Sequence, residues 1–146
     1  MKRFLVTYLA PGSVIDDWKK TDPEKRKMAE EKMRDDWGNW MRKHANIFVD
    51  KGAGVGKTRR VTAQGSGGAR NDIMLYAVVQ ADSHEAASKL FEDHPHLSIP
   101  SASIEVMEIN PLRHQICGDR ISRHFYHPSE LGRFQVATTR VDRQQS

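Results

Sequence analysis

The most restrictive pattern in this 146-residue chain is the strand from Asp72 to Ala81. Its sequence, D-I-M-L-Y-A-V-V-Q-A, is apolar on both faces, which predicts that both faces are covered. A single sheet with helices on one side covers only one of these faces. We therefore expect the other face to pack against a second copy of the chain, which makes a homodimer.

Three further strands are predicted around this one. Lys2–Leu9 alternates in a β-rich run, Ile47–Val49 is a short strand, and Ser103–Ile109 is the last strand. Between them, the segment Gln64–Arg70 reads Q-G-S-G-G-A-R. Glycine lacks the steric limits that order other residues, so this composition predicts a mobile loop.

Two helices are predicted between the strands. The first begins near Pro23, with Thr21 or Asp22 as competing N-caps. The second is capped by Asp82 with Glu85. Each helix carries one apolar stripe that faces the core, formed in the first by Met33, Trp37, Trp40, Met41 and His44 and in the second by Ala86, Ala87, Leu90 and Phe91.

The order of these elements is β-α-β-β-α-β. With short connections and right-handed crossovers, it predicts an α+β, ferredoxin-like fold, in which one antiparallel sheet carries two helices on one face. Residues 1–110 hold every predicted element and form one domain. Residues 111–146 lack a sustained period, so we expect a C-terminal extension that is either a docked arm or disordered.

Composition excludes several classes of protein. No apolar run approaches the roughly 20 residues that span a bilayer, so no membrane association is expected. The single cysteine, Cys117, fits a reducing cytoplasm and cannot form an internal disulfide. Residues 1–112 carry 17 Lys+Arg against 16 Asp+Glu, and residues 113–146 carry 6 against 3. The body of the chain therefore lacks the basic excess typical of nucleic-acid binding.

Four short motifs occur in order along the chain: Gly56-Lys57-Thr58, Asn71-Asp72-Ile73, His94-Pro95-His96-Leu97 and Ile104-Glu105-Val106. In this arrangement, residues 1–110 resemble the YCII-related family. The resemblance implies a dimeric α/β-barrel and a small cytoplasmic bacterial protein of mostly unknown activity. One relative acts as a dehydrochlorinase on a hydroxylated chloroaromatic compound.

Better-characterised members of that family are thought to use a histidine near the start of the long helix and a nearby aspartate. The corresponding stretch of this chain offers Asp35 and Asp36, and its only helical histidine is His44, near the helix end.

The glycine-rich run before Lys57 and Thr58 does not fit a phosphate loop. That motif needs a glycine where this chain has Lys51, and it needs a helix directly after it. The residues that follow here read as a strand. We expect Lys57 either to meet an anionic group of a substrate or to lie in a solvated turn.

His94 and His96 flank a proline at the predicted end of the second helix, where the helix dipole favours a histidine that titrates near neutral pH. This position suits acid–base chemistry. Alternatively, His94 caps the last helical carbonyls and His96 is a surface turn residue. The i, i+2 spacing leaves a metal shell incomplete, so no metal and no cofactor are expected.

Two function classes remain open. The first is a cofactor-free enzyme for proton transfer or elimination on a small aromatic or carbonyl compound. The second is a non-catalytic dimeric protein that binds such a compound. The candidate catalytic residues are His94 and His96 with Asp36 or Glu105, and the candidate substrate-binding residues are Lys57, Thr58, Asn71 and Trp40. Convergence of a carboxylate on the histidines would distinguish the two classes.

Overall fold

The computed structural model describes residues 1–112, and Met1–Ile109 form one compact unit. The C-terminal extension was predicted over residues 111–146, of which residues 113–146 lie outside the described part of the chain. The mixed α+β class is confirmed. The elements are β1 (Lys2–Leu9), α1 (Gly12–Lys20), α2 (Pro23–Lys43), β2 (Phe48–Gly54), β3 (Thr58–Thr62), β4 (Gly65–Ala69), β5 (Ile73–Ala81), α3 (His84–Lys89) and β6 (Ser103–Glu108).

Four strands form the main sheet in the order β2-β5-β1-β6, and every neighbouring pair is antiparallel. Tyr8 lies opposite Leu75 of β5 and Ile104 of β6, whereas Thr7 lies opposite Tyr76 and Glu105. Because successive side chains of a strand point to opposite faces, Tyr8 and Thr7 define the two faces of the sheet.

The helices α2 and α3 cover the face that carries Tyr8. Trp40 of α2, Ala87 of α3 and Phe91 join one buried core with that face of the sheet. The strand residues of this core are Phe4, Val6, Tyr8, Ala77, Val79 and Ala81. We call the opposite side, which carries Thr7, the second face of the sheet.

The starts of the helices show which caps the chain uses. Asp22 is the N-cap of α2, because its carboxylate accepts from the backbone N–H groups of Glu24 and Lys25. The predicted cap of α3 is wrong: the Ser83 hydroxyl accepts from the Ala86 N–H instead of Asp82. The hydroxyl of Ser83 lies three residues before that N–H, which is the usual reach of an N-cap.

The region between β2 and β5 is more ordered than predicted. Gly65–Ala69 is not a loop but the second strand of a hairpin, paired residue for residue with β3. β2 also extends to Gly54 through an irregular pairing with β5. At Gly52, φ is +71°, and a Cβ there would overlap the Tyr76 carbonyl oxygen, so only glycine fits.

None of the described helices is both long enough and apolar enough to cross a membrane.

Candidate functional site

His96 lies in the short 3₁₀ turn Pro95–Ser98, and His94 is the residue directly before this turn. The turn follows α3 and precedes β6. Their exposed fractions are 2% and 1%, so both rings are buried against the helix-covered face of the sheet. The expectation that His96 is a surface turn residue is therefore wrong. Pro95 occupies the first position of the turn, where its fixed φ is tolerated.

Both rings bond to backbone. The His96 N–H donates to Nδ1 of His94 over 3.0 Å, so His94 caps the 3₁₀ turn rather than the end of α3. Nε2 of His96 lies 2.9 Å from the Leu9 carbonyl oxygen. A carbonyl only accepts, so His96 carries its proton on Nε2. In His94, Nδ1 accepts a hydrogen bond and is therefore unprotonated, so the neutral ring carries its proton on Nε2.

Burial sets the charge state of the pair. Loss of solvation, reinforced by the neighbouring His96 and His44, lowers the pKa of His94 to about 3. Desolvation also lowers the pKa of His96, although its bond to the Leu9 carbonyl opposes the shift. The expectation that the pair titrates near neutral pH is wrong for His94, because the ring is desolvated. His94 is neutral at physiological pH.

Aromatic side chains surround His94. Its ring centroid lies 4.4 Å from that of Trp37 and 4.3 Å from that of Trp40, both in edge-on arrangements. Tyr8 lies 5.1 Å from His94 and 5.5 Å from His96. Burial raises the pKa of the Tyr8 hydroxyl, so it stays protonated. We call Tyr8, Trp37, Trp40, His94 and His96 the aromatic cluster.

Two buried donors of the aromatic cluster have no partner within residues 1–112: Nε2 of His94 and Nε1 of Trp40. A buried polar group without a hydrogen bond costs about 1–3 kcal/mol. The edge-on ring contacts of His94 offset only a part of this cost. Each of these two neighbouring rings therefore has one N–H group that no described acceptor uses.

The two candidate carboxylates do not join the histidines. Asp36 forms a salt bridge with Lys32, one turn earlier in α2. Glu105 is exposed and lies opposite Thr7, on the second face of the sheet. The hydrogen bonds of His94 and His96 found within residues 1–112 reach only backbone atoms and each other.

The predicted substrate-binding residues fall into two places. Trp40 belongs to the aromatic cluster. Asn71 donates to the Thr58 hydroxyl over 3.1 Å and accepts from the Ile73 N–H, so it ties the hairpin to the start of β5. Lys57 is exposed in the connection that leads into β3.

No group of three or more histidine, cysteine or acidic side chains within residues 1–112 is arranged to hold a metal ion.

Sequence reasoning missed the roles of Tyr8 and Arg70. The alternation of β1 places Tyr8 on the same face as Phe4 and Val6, which was the available signal. Arg70 is the only charged residue of the segment Gln64–Arg70, and it binds Asp16 of α1 through both terminal guanidinium nitrogens.

A scan against protein-family models finds no match to this chain, and a search of the curated proteins finds none either.

Proposed function

We propose that this chain is a YCII-related, cytoplasmic bacterial protein that acts as a homodimer and binds a small aromatic or carbonyl compound at its aromatic cluster. The motif His94-Pro95-His96-Leu97, on which the resemblance partly rests, supplies two members of that cluster.

A ferredoxin-like, dimeric α/β-barrel fold is part of this proposal. The strand order β2-β5-β1-β6 with antiparallel neighbours supports it. The strands of one β-α-β unit, β1 and β2, alternate in the sheet with those of the other, β5 and β6, as in a split β-α-β arrangement. The buried residues of α2 and α3 join one core on a single face of the sheet, which also supports it.

The second face of the sheet supports the homodimer. Val78, Leu5 and Met107 lie side by side across β5, β1 and β6 on this face, and none belongs to the core. Met107 is 41% exposed. A two-fold axis lets one apolar face cover the same face of a second copy.

One observation carries the binding function: the unpartnered N–H groups of His94 and Trp40 lie on touching rings inside an aromatic wall. Both donors are neutral, so they suit a neutral or weakly ionised oxygen such as a carbonyl or a phenol. Pockets for ring-shaped ligands combine such aromatic walls with a few polar anchors. No carboxylate meets the histidines within residues 1–112, which favours binding over acid–base catalysis.

A cofactor-free enzyme for proton transfer or elimination is the second candidate, and the neutral His94 favours it. A neutral imidazole held in a desolvated site can donate a hydrogen bond to an oxyanion that develops during reaction. In this case His94 acts as an electrophilic donor. A pKa of about 3 leaves it almost wholly unprotonated at pH 7, so it is not the proton donor.

Tryptophan fluorescence tests the binding proposal, because two tryptophans contact His94. In a Trp18→Phe background, which removes the exposed indole, chlorohydroquinone should quench the signal with saturation, whereas chlorobenzene, which lacks hydroxyl groups, should not. His94→Phe keeps the ring but removes its donor and should weaken binding by about tenfold, the value of one hydrogen bond.

His84→Gln is the matched control, because His84 is an exposed histidine outside the cluster. Equal affinity in the His94→Phe and His84→Gln variants would contradict the proposal. Release of chloride from chlorohydroquinone, lost in His94→Phe but not in His84→Gln, would select the enzyme. Saturable binding without chloride release would select the binding protein.

A further inference from the structure

The second face of the sheet carries two opposite charges that do not meet within one copy of the chain. Among the residues of β1, β5 and β6 that point to this face, Arg3 has the one positive charge and Glu105 the one negative charge. Glu105 lies opposite Thr7, further along β1 than Arg3. At a rise of about 3.4 Å per residue, the two charges are about 14 Å apart along the strands.

The charges on the other face of the same two strands are paired. Lys2 and Glu108 lie on the helix-covered side and form a salt bridge of 3.0 Å within one copy. On the second face, no salt bridge among residues 1–112 involves Arg3 or Glu105, and both side chains are exposed. The hydroxyl of Thr7, directly across from Glu105, has no hydrogen-bond partner in this part of the chain, so it does not donate to the carboxylate.

An apolar row separates the two charges. Val78, Leu5 and Met107 lie side by side across β5, β1 and β6, halfway between Arg3 and the level of Glu105. A second copy that covers this row also covers the charges on either side of it. A charge that loses its water without gaining a partner is costly, so each of these two needs an opposite charge from the second copy.

Two-fold symmetry supplies that opposite charge. When two copies pack face to face, the symmetry axis lies in the plane between the two sheets. An axis that crosses the face between Leu5 and Met107 brings Arg3 of each copy over Glu105 of the other, because the midpoint between the two charges falls there. In such an interface a contact of one residue with another is repeated in reverse, so a single operation makes two identical pairs.

The orientation that this axis requires is an ordinary one for stacked sheets. The line from Arg3 to Glu105 runs about 14 Å along the strands and one strand spacing of about 4.8 Å across them, so it is inclined by about 20°. The strands of the two copies then cross at twice this angle, about 40°, close to the roughly 30° of aligned sheets. Such sheets lie about 10 Å apart, a gap that an arginine and a glutamate side chain together span.

We propose that the second face of the sheet docks on the same face of a second copy through two reciprocal ion pairs, Arg3 of each copy with Glu105 of the other. The apolar row of Val78, Leu5 and Met107 lies between the two pairs, on the symmetry axis. The pairs fix the register of the two sheets, because any other register leaves a covered charge without a partner. This inference rests on the homodimer of the proposed function.

Sedimentation equilibrium of the full chain over a concentration series tests the ion pairs by charge reversal. Arg3→Glu and Glu105→Arg each bring like charges together twice per dimer, so each should raise the dimer dissociation constant by at least about tenfold. The double variant, with both substitutions, restores opposite charges and should return the constant to within about threefold of the unaltered chain. Circular dichroism spectra that match the unaltered chain show that each variant is folded.

Lys2→Glu is the matched control, because it reverses a charge on the neighbouring residue of β1 whose salt bridge lies within one copy. It should change the dimer dissociation constant by no more than about threefold. A dimer that Arg3→Glu and Glu105→Arg weaken no more than Lys2→Glu does would overturn the ion pairs and leave the homodimer standing. Failure of the double variant to recover would also overturn them. A monomeric unaltered chain would overturn the homodimer and the ion pairs together.

Discussion

His94 links the stability of the protein to pH, because it is buried without a charged partner. In the unfolded chain, its pKa returns to about 6.5. Between pH 6.5 and its folded pKa of about 3, the unfolded state binds one more proton than the folded state. Stability contributed by the neutral ring is therefore present above pH 6.5 and is lost as the pH falls through that window. The lowered pKa of His96 acts in the same direction.

Urea unfolding at pH 7 and pH 5 measures this linkage. The free energy of unfolding should fall by about 2 kcal/mol between the two conditions, the amount that one such histidine contributes. His94→Phe should remove most of that fall, and His84→Gln should retain it. A His94→Phe variant with the same pH dependence as the unaltered chain would show that His94 is not the group responsible.

At the scale of elements, periodicity predicted the strands of the main sheet and the long helix, because alternation and capping are local signals. Asp22 before Pro23 marks the start of α2 in the sequence and caps it in the structure. The same local signals were insufficient at Ser83. Neighbouring residues compete there for one cap, and the backbone geometry decides between them.

The hairpin shows where composition misleads. Gly65–Ala69 contains almost no side chain that could indicate a strand, yet it pairs along its whole length with β3. Pairing with another segment is a non-local interaction, so the composition of the segment alone could not predict it.

The candidate site was predicted only in part, for a similar reason. The sequence indicated His94, His96 and Trp40, but the separation of Glu105 from the histidines depends on the register of β1 with β6. Burial of His96 depends on the whole fold, so the charge state of the pair could not be derived from its position after a helix.

At the scale of the whole molecule, the second face of the sheet should hold two copies together. Val78→Lys and Met107→Lys each place a charge in the proposed interface and should convert the dimer to a monomer that keeps its circular dichroism spectrum. Val61→Lys is the control, because Val61 is 77% exposed on the hairpin. Light scattering at micromolar concentration measures the mass. A monomeric unaltered chain, or a dimer unaffected by either variant, would contradict the homodimer.

Binding at the aromatic cluster is the central claim, and the indole N–H resonance of Trp40 reports on it most directly. In the ¹⁵N-labelled chain, the Trp18 indole N–H is the internal reference, because it already donates to Glu30. The Trp40 indole N–H is the reporter, because it has no acceptor within residues 1–112. Addition of chlorohydroquinone should move the Trp40 indole proton downfield, as a new hydrogen bond does, and leave Trp18 in place. An unmoved Trp40 resonance at saturating ligand would contradict the account.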